Sequence, residues 1–254
     1  MRYPARLPWG MADTDRTRPA LEIAVVSAAG ARLAADAGAD RVELCSALEL
    51  GGVTPSVGLI RAAVATGIPV HVLVRCRPGD AVYDADEVRT MTADVRAAVA
   101  EGAAGVVVGA LRPDGTLDRE ALETWTDAAS ASGAEVTFHR AIDQSCAPVE
   151  LVRDLAGTVD RVLTSGAHAR AVEGRDVIAA MCAVEDGPQI MAGGGVRPVD
   201  IGMLAAAGVS GVHLSAKAAF GSAGLALGGR DDGTHLVTDP EVVRAARRAL
   251  DALR

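Results

Sequence analysis

Acidic, basic and imidazole side chains stand at the ends of several short apolar runs of the chain. Glu43, Arg75 and His139 each lie within or directly after such a run, and Asp143 follows soon after His139. A histidine near a carboxylate can exchange protons near neutral pH, and an arginine can bind a carboxylate or phosphate through two hydrogen bonds. We therefore predict that Glu43 and His139 form an acid/base pair and that Arg75 anchors an anion. Asp143 is predicted to belong to the same catalytic set.

A structural alternative exists for these residues, in which the acid, the imidazole and the guanidinium satisfy one another inside the fold. His71, early in its apolar run, is more typical of a structural histidine. Glu22 is equally consistent with an ion pair to an arginine. Lys217 could form a Schiff base, but a surface lysine is the better interpretation.

A glycine-rich segment, Gly193-Gly-Gly195, precedes a predicted helix start near Pro198. Backbone N–H groups in such a turn can bind phosphate. Glycine turns also occur for geometric reasons alone, and both interpretations remain open. The predicted ligand-binding residues, which all follow apolar runs, are Arg140, Thr164, Ser165, Gly193, Gly194, Gly195 and Ser215.

Three of the four cysteines, Cys45, Cys76 and Cys146, follow or end apolar runs. Thiolates are soft ligands that suit Cu(I), and Cys45 is the candidate metal ligand. Strand alternation sends Cys76 to the face opposite Arg75, which opposes a shared site with Cys45. The alternative is that these cysteines are small apolar packing residues.

A repeating pattern of a helix-like, alanine-rich stretch, a glycine and a β-branched run predicts the fold. From Gly38 to Gly208 the repeat spans 170 residues in six steps, or about 28 residues per step. Glycine after a helix adopts the left-handed conformation that ends it, and a short apolar run is typical of a buried parallel strand. The glycines of the repeat are Gly38, Gly67, Gly102, Gly133, Gly157, Gly187 and Gly208.

With Leu21–Val26 as the first strand, the pattern predicts eight βα units and a single-domain (β/α)8 TIM barrel. The alternative is an open doubly wound sheet, but the chain has no nucleotide-binding glycine fingerprint. In such barrels, working residues lie at the carboxyl ends of the strands, above an apolar interior. Glu22, His71 and His213 are predicted to face the same interior as Glu43.

The predicted domain boundaries are a flexible N-terminal tail over 1–20 and the barrel over 21–254. The tail contains Met11, which could be the natural start of translation. Asp239 and Pro240 open the predicted last helix. The glycine-rich segment 218–237 could form a lid, although a passive connection is the better interpretation.

Composition excludes several classes of protein. The net charge is −8 and Lys217 is the only lysine, so a nucleic-acid partner is not expected. The first twenty residues contain no apolar run that could serve as a signal peptide or membrane anchor. The four cysteines have no C-x-x-C spacing, which fits reduced thiols in the cytoplasm.

Several segments together resemble the CutC family of copper homeostasis proteins. They include Ala39-Asp-Arg-Val-Glu-Leu-Cys45, Gly51-Gly-Val-Thr-Pro-Ser56, Val136-Thr-Phe-His-Arg-Ala141, Arg161-Val-Leu-Thr-Ser-Gly166 and Ile190-Met-Ala-Gly-Gly-Gly-Val196. The resemblance implies a TIM barrel, a cytoplasmic location, a homodimer and a role in copper handling through direct Cu(I) binding. Some family members have cysteines where this chain has Ala24 and Leu214, whereas Cys45 is retained.

Two functions therefore remain open. The chain is either a copper homeostasis protein that binds Cu(I) through Cys45, or a metal-independent enzyme. The enzyme would act on a small anionic or phosphorylated metabolite through Glu43, His139 and Arg75.

Overall fold

The computed structural model describes residues 18–130, 132–221 and 234–253. In this part of the chain, eight parallel strands close into a barrel, because β1 pairs with both β2 and β8. The barrel strands are β1 (Ala20–Val25), β2 (Arg41–Leu44), β3 (Val70–Leu73), β4 (Gly105–Val108), β5 (Glu135–Phe138), β6 (Arg161–Thr164), β7 (Gln189–Gly193) and β8 (Gly211–Leu214). The predicted (β/α)8 TIM barrel is confirmed.

Helices alternate with the strands and cover the outside of the barrel. They are α1 (Ala28–Asp36), α2 (Val57–Val64), α3 (Ala85–Ala100), α4 (Arg119–Ser130), α5 (Pro148–Asp154), α6 (Arg175–Cys182), α7 (Ile201–Ala206) and α8 (Pro240–Asp251). No helix in the described ranges is long and apolar enough to cross a membrane. Residues 1–17, with Met11 and most of the predicted tail, lie outside the described residues.

The glycines that end the helices behave largely as the repeat predicts. Six of the seven have positive φ angles, from 70° at Gly133 to 98° at Gly38. The exception is Gly187, where the preceding Asp186 has the positive φ angle of 54° instead. Because left-handed backbone ends a helix without a Cβ penalty only at glycine, these positions set the lengths of the repeating units.

The outward side chains of the strands form the main hydrophobic core against the helices. Ile23, Leu44, Val72 and Phe138 are all fully buried there. Burial of apolar side chains contributes roughly 1.5–3 kcal/mol each, so this layer accounts for much of the stability of the barrel. In most strands these apolar residues alternate with inward-facing side chains, several of which are charged.

The inward face differs from the apolar interior that we expected below the site. Near the amino ends of the strands, Arg41 Nε lies 2.6 Å from Glu22 Oε2, and Arg41 Nη1 lies 3.4 Å from Glu135 Oε2. Arg161 pairs with the same Glu135 oxygen at 3.1 Å and donates to Gln189 Oε1 at 2.7 Å. This charge network, defined here as Glu22, Arg41, Glu135, Arg161 and Gln189, runs from the buried interior of the lower barrel to its surface, since Glu135 is half-buried and Gln189 is exposed.

Between β8 and α8 the chain forms an antiparallel ribbon of β9 (Lys217–Gly221) and β10 (Thr234–Thr238). Lys217 is exposed at its start, as expected of a surface lysine. Residues 222–233, the middle of the predicted lid or connection, lie outside the described residues.

The inward packing of the lower barrel can be tested at Gly105. A Cβ at this position would lie 2.4 Å from His71 Nδ1 and 2.8 Å from the Glu135 carbonyl oxygen. His71 is fully buried and cannot move aside. We expect Gly105→Ala to lower the free energy of unfolding by about 1–3 kcal/mol, measured by urea denaturation.

The matched control is Gly202→Ala, because a Cβ on Gly202 in α7 meets nothing within 4 Å. It should be neutral or stabilise the protein by about 0.5–1 kcal/mol. Equal effects of the two substitutions would contradict the described packing around His71.

Candidate functional site

A cavity of about 510 Å³ opens at the carboxyl ends of the strands. Most of the residues predicted for the site line it: Glu43, Arg75, His139, Arg140, Asp143, Gly194, Gly195 and Ser215. Cys45, Thr164, Ser165 and Gly193 are not part of its lining. His213, which was not among the predicted catalytic residues, contributes to the cavity wall.

Arg75 brings a positive charge to the cavity. Its guanidinium donates to the carbonyl oxygens of Gly52 at 2.9 Å and Gly79 at 2.7 Å, so two loops hold it in place. It forms no ion pair with a carboxylate in the described part of the chain. An arginine that is positioned by carbonyl groups keeps its full charge available for an anionic ligand.

His139 is held as a neutral hydrogen-bond donor. The backbone N–H of Ala141 donates to its Nδ1 at 3.1 Å, so the ring proton of the neutral form must be on Nε2. Burial, with the nearby charge of Arg75, lowers the pKa of His139 to about 4. Its Nε2 is buried and has no hydrogen-bond partner among the described residues. This state suits donation to a ligand oxygen better than proton removal.

Glu43 and Glu22 flank the His213 ring. The distance from His213 Nδ1 to Glu22 Oε1 is 2.7 Å, and the distance from Nε2 to Glu43 Oε2 is 3.9 Å. Burial raises the pKa of Glu43 to about 7, opposed by the charge of His213 and reinforced by that of Glu22. The cavity wall therefore carries a carboxyl group that titrates near neutral pH.

The pKa values of Glu22 and His213, the two neighbours of Glu43, are shifted in opposite directions. Burial alone would raise the pKa of Glu22, but the charges of Arg41 and His213 outweigh burial and hold it far below its usual range. Burial opposes the charged form of His213, but Glu43 and Glu22 outweigh it and raise the pKa of His213. In this cluster Glu22 stays ionised, and the protonation of Glu43 and that of His213 depend on each other.

Asp143 organises the loop after β6. Its Oδ1 accepts from the Thr164 hydroxyl at 2.6 Å and from the Ala167 N–H at 3.1 Å. Its Oδ2 accepts from the Ser165 N–H at 3.0 Å and from Arg140 Nε at 2.8 Å. With its oxygens engaged in this way, the carboxylate is well placed to position these neighbours, and its catalytic role remains a prediction.

The glycine loop after β7 adopts backbone conformations that favour glycine. Gly194 and Gly195 have positive φ angles of 107° and 62°. A Cβ at Gly194 would lie 3.1 Å from Arg140 Cζ, so the guanidinium lies close above this backbone. The N–H groups of Gly194 and Gly195 donate to no acceptor within the described ranges. Gly193 instead packs inward, where a Cβ would meet Leu163 at 2.5 Å.

Cys45 does not fit a thiolate site for Cu(I). Its side chain is fully buried and packs against Leu73 and Val107 inside the barrel. Burial, with the charges of Glu43 and Glu49, raises the pKa of the Cys45 thiol to about 12. Cys76 packs into the outer core on the other face of the sheet, so the two thiols do not converge.

One other group of side chains in the described part of the chain could hold a metal ion. Glu22, Glu43 and His213 offer donor atoms that lie within 4.8 Å of one another. Oxygen and imidazole ligands suit a divalent cation rather than Cu(I).

The sequence interpretation missed the role of His213 as the partner of Glu22 and Glu43. Glu22 and His213 are 191 residues apart and become direct neighbours only because β1 pairs with β8. Their alternation within the strands was a usable signal, since both positions were predicted to face inward. In a closed eight-stranded barrel the first strand pairs with the last, and this rule would have placed Glu22 next to His213.

Comparison with known proteins gives a consistent result. The model of the CutC family matches residues 20–218. A CutC family protein from Xanthomonas campestris is 44% identical over 201 residues, covering 78% of this chain and 83% of that protein. One from Photobacterium profundum is 40% identical over 201 residues, covering 78% of this chain and 81% of that protein.

Solved structures show the same relationship. A CutC protein from Streptococcus agalactiae, provisionally described as a copper homeostasis protein, superposes with a TM-score of 0.71 at 29% identity. The match covers 78% of this chain and 98% of that one. Thiamine phosphate pyrophosphorylase from Pyrococcus furiosus has a TM-score of 0.54 at 14% identity, which shows a shared fold alone.

The pKa of Glu43 gives a test of the site electrostatics. Because folding raises this pKa from 4.5 to about 7, the folded state binds the proton more tightly, and stability is lost as pH rises between these values. Glu43→Gln removes this loss. The unfolding free energy of the variant, relative to the wild type, should rise by about 3 kcal/mol from pH 4 to pH 8 in urea titrations.

Glu49→Gln is the control, because Glu49 follows the same strand as Glu43 but is exposed. Because its side chain stays in contact with solvent, we expect its stability difference from the wild type to change less with pH than that of Glu43→Gln. A flat difference for Glu43→Gln would show that Glu43 is not a buried titrating group.

Proposed function

The chain belongs to the CutC family, and we propose that it is a metal-independent enzyme that binds a small anionic metabolite in the cavity at the carboxyl end of its barrel. The observation that carries the proposal is that an arginine without an ion pair and a buried donor without a hydrogen-bond partner share this cavity. Arg75 offers a charge with no acidic partner in the described residues, and His139 offers a buried, unpartnered N–H. Leaving buried donors unpaired costs about 1–3 kcal/mol each, which a ligand would recover.

A phosphate group of a metabolite fits the part of the cavity near Gly194 and Ser215. Gly194 lies beside the Arg140 guanidinium, the N–H groups of Gly194 and Gly195 donate to no acceptor within the described ranges, and Ser215 adds a hydroxyl at the end of β8. Barrels of this fold bind phosphate through the loops after their seventh and eighth strands. A ligand with two polar ends, at least one of which is anionic, therefore suits the cavity.

The setting that we propose is cytoplasmic, with the chain acting as a homodimer, as the family resemblance implies. The four cysteines are free thiols, which supports a reducing compartment. The net charge of −8 supports a small-molecule partner rather than nucleic acid.

Anion binding can be measured with inorganic phosphate as the probe. We expect Arg75→Gln to weaken phosphate binding to the full chain at least tenfold, because charge-assisted hydrogen bonds to anions are lost. Binding is followed by NMR chemical-shift titration of the backbone amides, including those of Gly194 and Gly195.

The control for this titration is Arg61→Gln, because Arg61 is an exposed arginine paired with Glu101 far from the cavity. It should bind phosphate like the wild type. Equal losses in the two variants, or phosphate shifts outside the cavity, would reject the proposed anion site.

Cu(I) binding through Cys45 is the second candidate function. The observation that favours it is the family itself, since the streptococcal relative is described as a copper homeostasis protein. The buried, protonated thiol of Cys45 and its lack of a neighbouring thiol weigh against it. On the enzyme proposal, any contribution to copper homeostasis is indirect.

An anaerobic Cu(I) titration against a competing chelator separates the two candidates. We expect Cys45→Ser to leave Cu(I) uptake unchanged, because deprotonating this thiol is unfavourable at neutral pH. Cys146→Ser, which alters an exposed thiol, is the matched control. Stoichiometric uptake that is lost only in Cys45→Ser would establish the copper candidate instead.

A further inference from the structure

His213 and Glu22 have no part in the anion binding proposed above, yet they form a short polar contact of 2.7 Å at the cavity wall. Glu22 is almost fully buried, and its two oxygens contact the Arg41 guanidinium and the His213 ring. Oε2 is 2.6 Å from Arg41 Nε, and Oε1 is 2.7 Å from His213 Nδ1. A buried carboxylate with such partners remains ionised and can only accept hydrogen bonds.

This contact determines the tautomer of His213. Because ionised Glu22 accepts from Nδ1, the ring proton of neutral His213 must be on Nδ1. The lone pair of the neutral ring is therefore on Nε2. A carboxylate that orients an imidazole in this way is the arrangement of a general base and its positioning residue.

The Nε2 atom is open to the cavity. Its nearest acidic neighbour, Glu43 Oε2, is 3.9 Å away, which is too long for a hydrogen bond. Both side chains line the cavity, so one ligand atom can occupy the space next to them. No protein group in the described ranges donates to this nitrogen.

The cavity also contains a group that can stabilise negative charge on oxygen. His139 is neutral and bears its proton on a buried Nε2 without a protein partner. A base together with a neutral imidazole donor is the pattern that enzymes use to remove a proton next to a carbonyl group. Arg75 then holds the anionic end of the same ligand.

We propose that His213 Nε2 removes a proton from the carbon next to a carbonyl group in an anionic 2-oxo acid or hydroxyketone phosphate. This inference rests on the proposed function, because the ligand must first be held by its anionic group. The C–H bond breaks, the N–H bond forms, and the electron pair moves through the new C=C bond onto the carbonyl oxygen. That oxygen accepts a hydrogen bond from His139.

Return of the proton from Nε2 to the enolate closes the cycle, so no oxidant, reductant or second substrate is needed. Glu22 stays ionised throughout and acts as a positioning residue. The charged groups that face His213 are Glu22 from β1 with Arg41 and Glu43 from β2. The carboxylates stabilise the imidazolium that forms.

The experiment follows deuterium exchange into candidate ligands by ¹H NMR, with the full chain in D₂O and a metal chelator present. The probes are pyruvate, hydroxyacetone phosphate and dihydroxyacetone phosphate. We expect exchange of at least one probe, slowed at least 100-fold in His213→Asn. Cys146→Ser, which alters an exposed loop cysteine, should exchange at the wild-type rate.

The positioning role of Glu22 has its own readout. In ¹⁵N NMR of the imidazoles, the neutral His213 ring of the wild type should be protonated on Nδ1. Glu22→Gln should lose this preference and slow exchange about tenfold, whereas Glu22→Asp should retain the preference in part. A wild-type ring protonated on Nε2 would overturn the inference without any variant.

The remaining outcomes separate this inference from the proposed function. Probes that bind without exchanging would reject proton removal and leave anion binding intact, and probes that neither bind nor exchange would reject both. Unchanged exchange in folded His213→Asn would also overturn the inference. Exchange that needs added Zn²⁺ would show that Glu22, Glu43 and His213 form a metal site instead.

Discussion

The ion pair between Arg41 and Glu22 is the interaction on which the rest of the interior depends. Both side chains are almost fully buried, and their charged atoms lie 2.6 Å apart. Isolated charges in such a place would be very unfavourable, so each requires the other. The pair keeps Glu22 ionised, Glu22 orients His213, and His213 faces Glu43 across the cavity wall.

The barrel interior divides at the level of His213. Below it, Glu135, Arg161 and Gln189 satisfy one another, and the lower end of the barrel has the character of a structural network. Above it, Arg75 is held by carbonyl groups without an ion pair to a carboxylate, and His139 Nε2 has no hydrogen-bond partner among the described residues. A charge and a donor that converge on a cavity at the carboxyl ends of the strands are what a ligand site requires.

The same division bears on the copper role of the family. Cys45 lies at the upper end of β2, but its side chain is enclosed by Leu73 and Val107 and behaves as a small apolar residue. The charge of Glu43, two residues away, further disfavours its thiolate. The chemistry of the cavity is therefore that of oxygen and nitrogen groups, and sulfur contributes packing.

The sequence by itself determined the strands, the helix ends and the family, because glycine stops and apolar runs are local properties of the chain. The rule that parallel strands end at one face also brought Glu43, Arg75 and His139 to one cavity. Only the tertiary structure decided which partner each acquired. Closure of β1 on β8 joined Glu22 to His213, and the Ala141 N–H determined the tautomer of His139. The contact between β1 and β8 and the positions of protons on buried side chains depend on distances between segments that are far apart in the sequence. Local sequence patterns do not determine these distances.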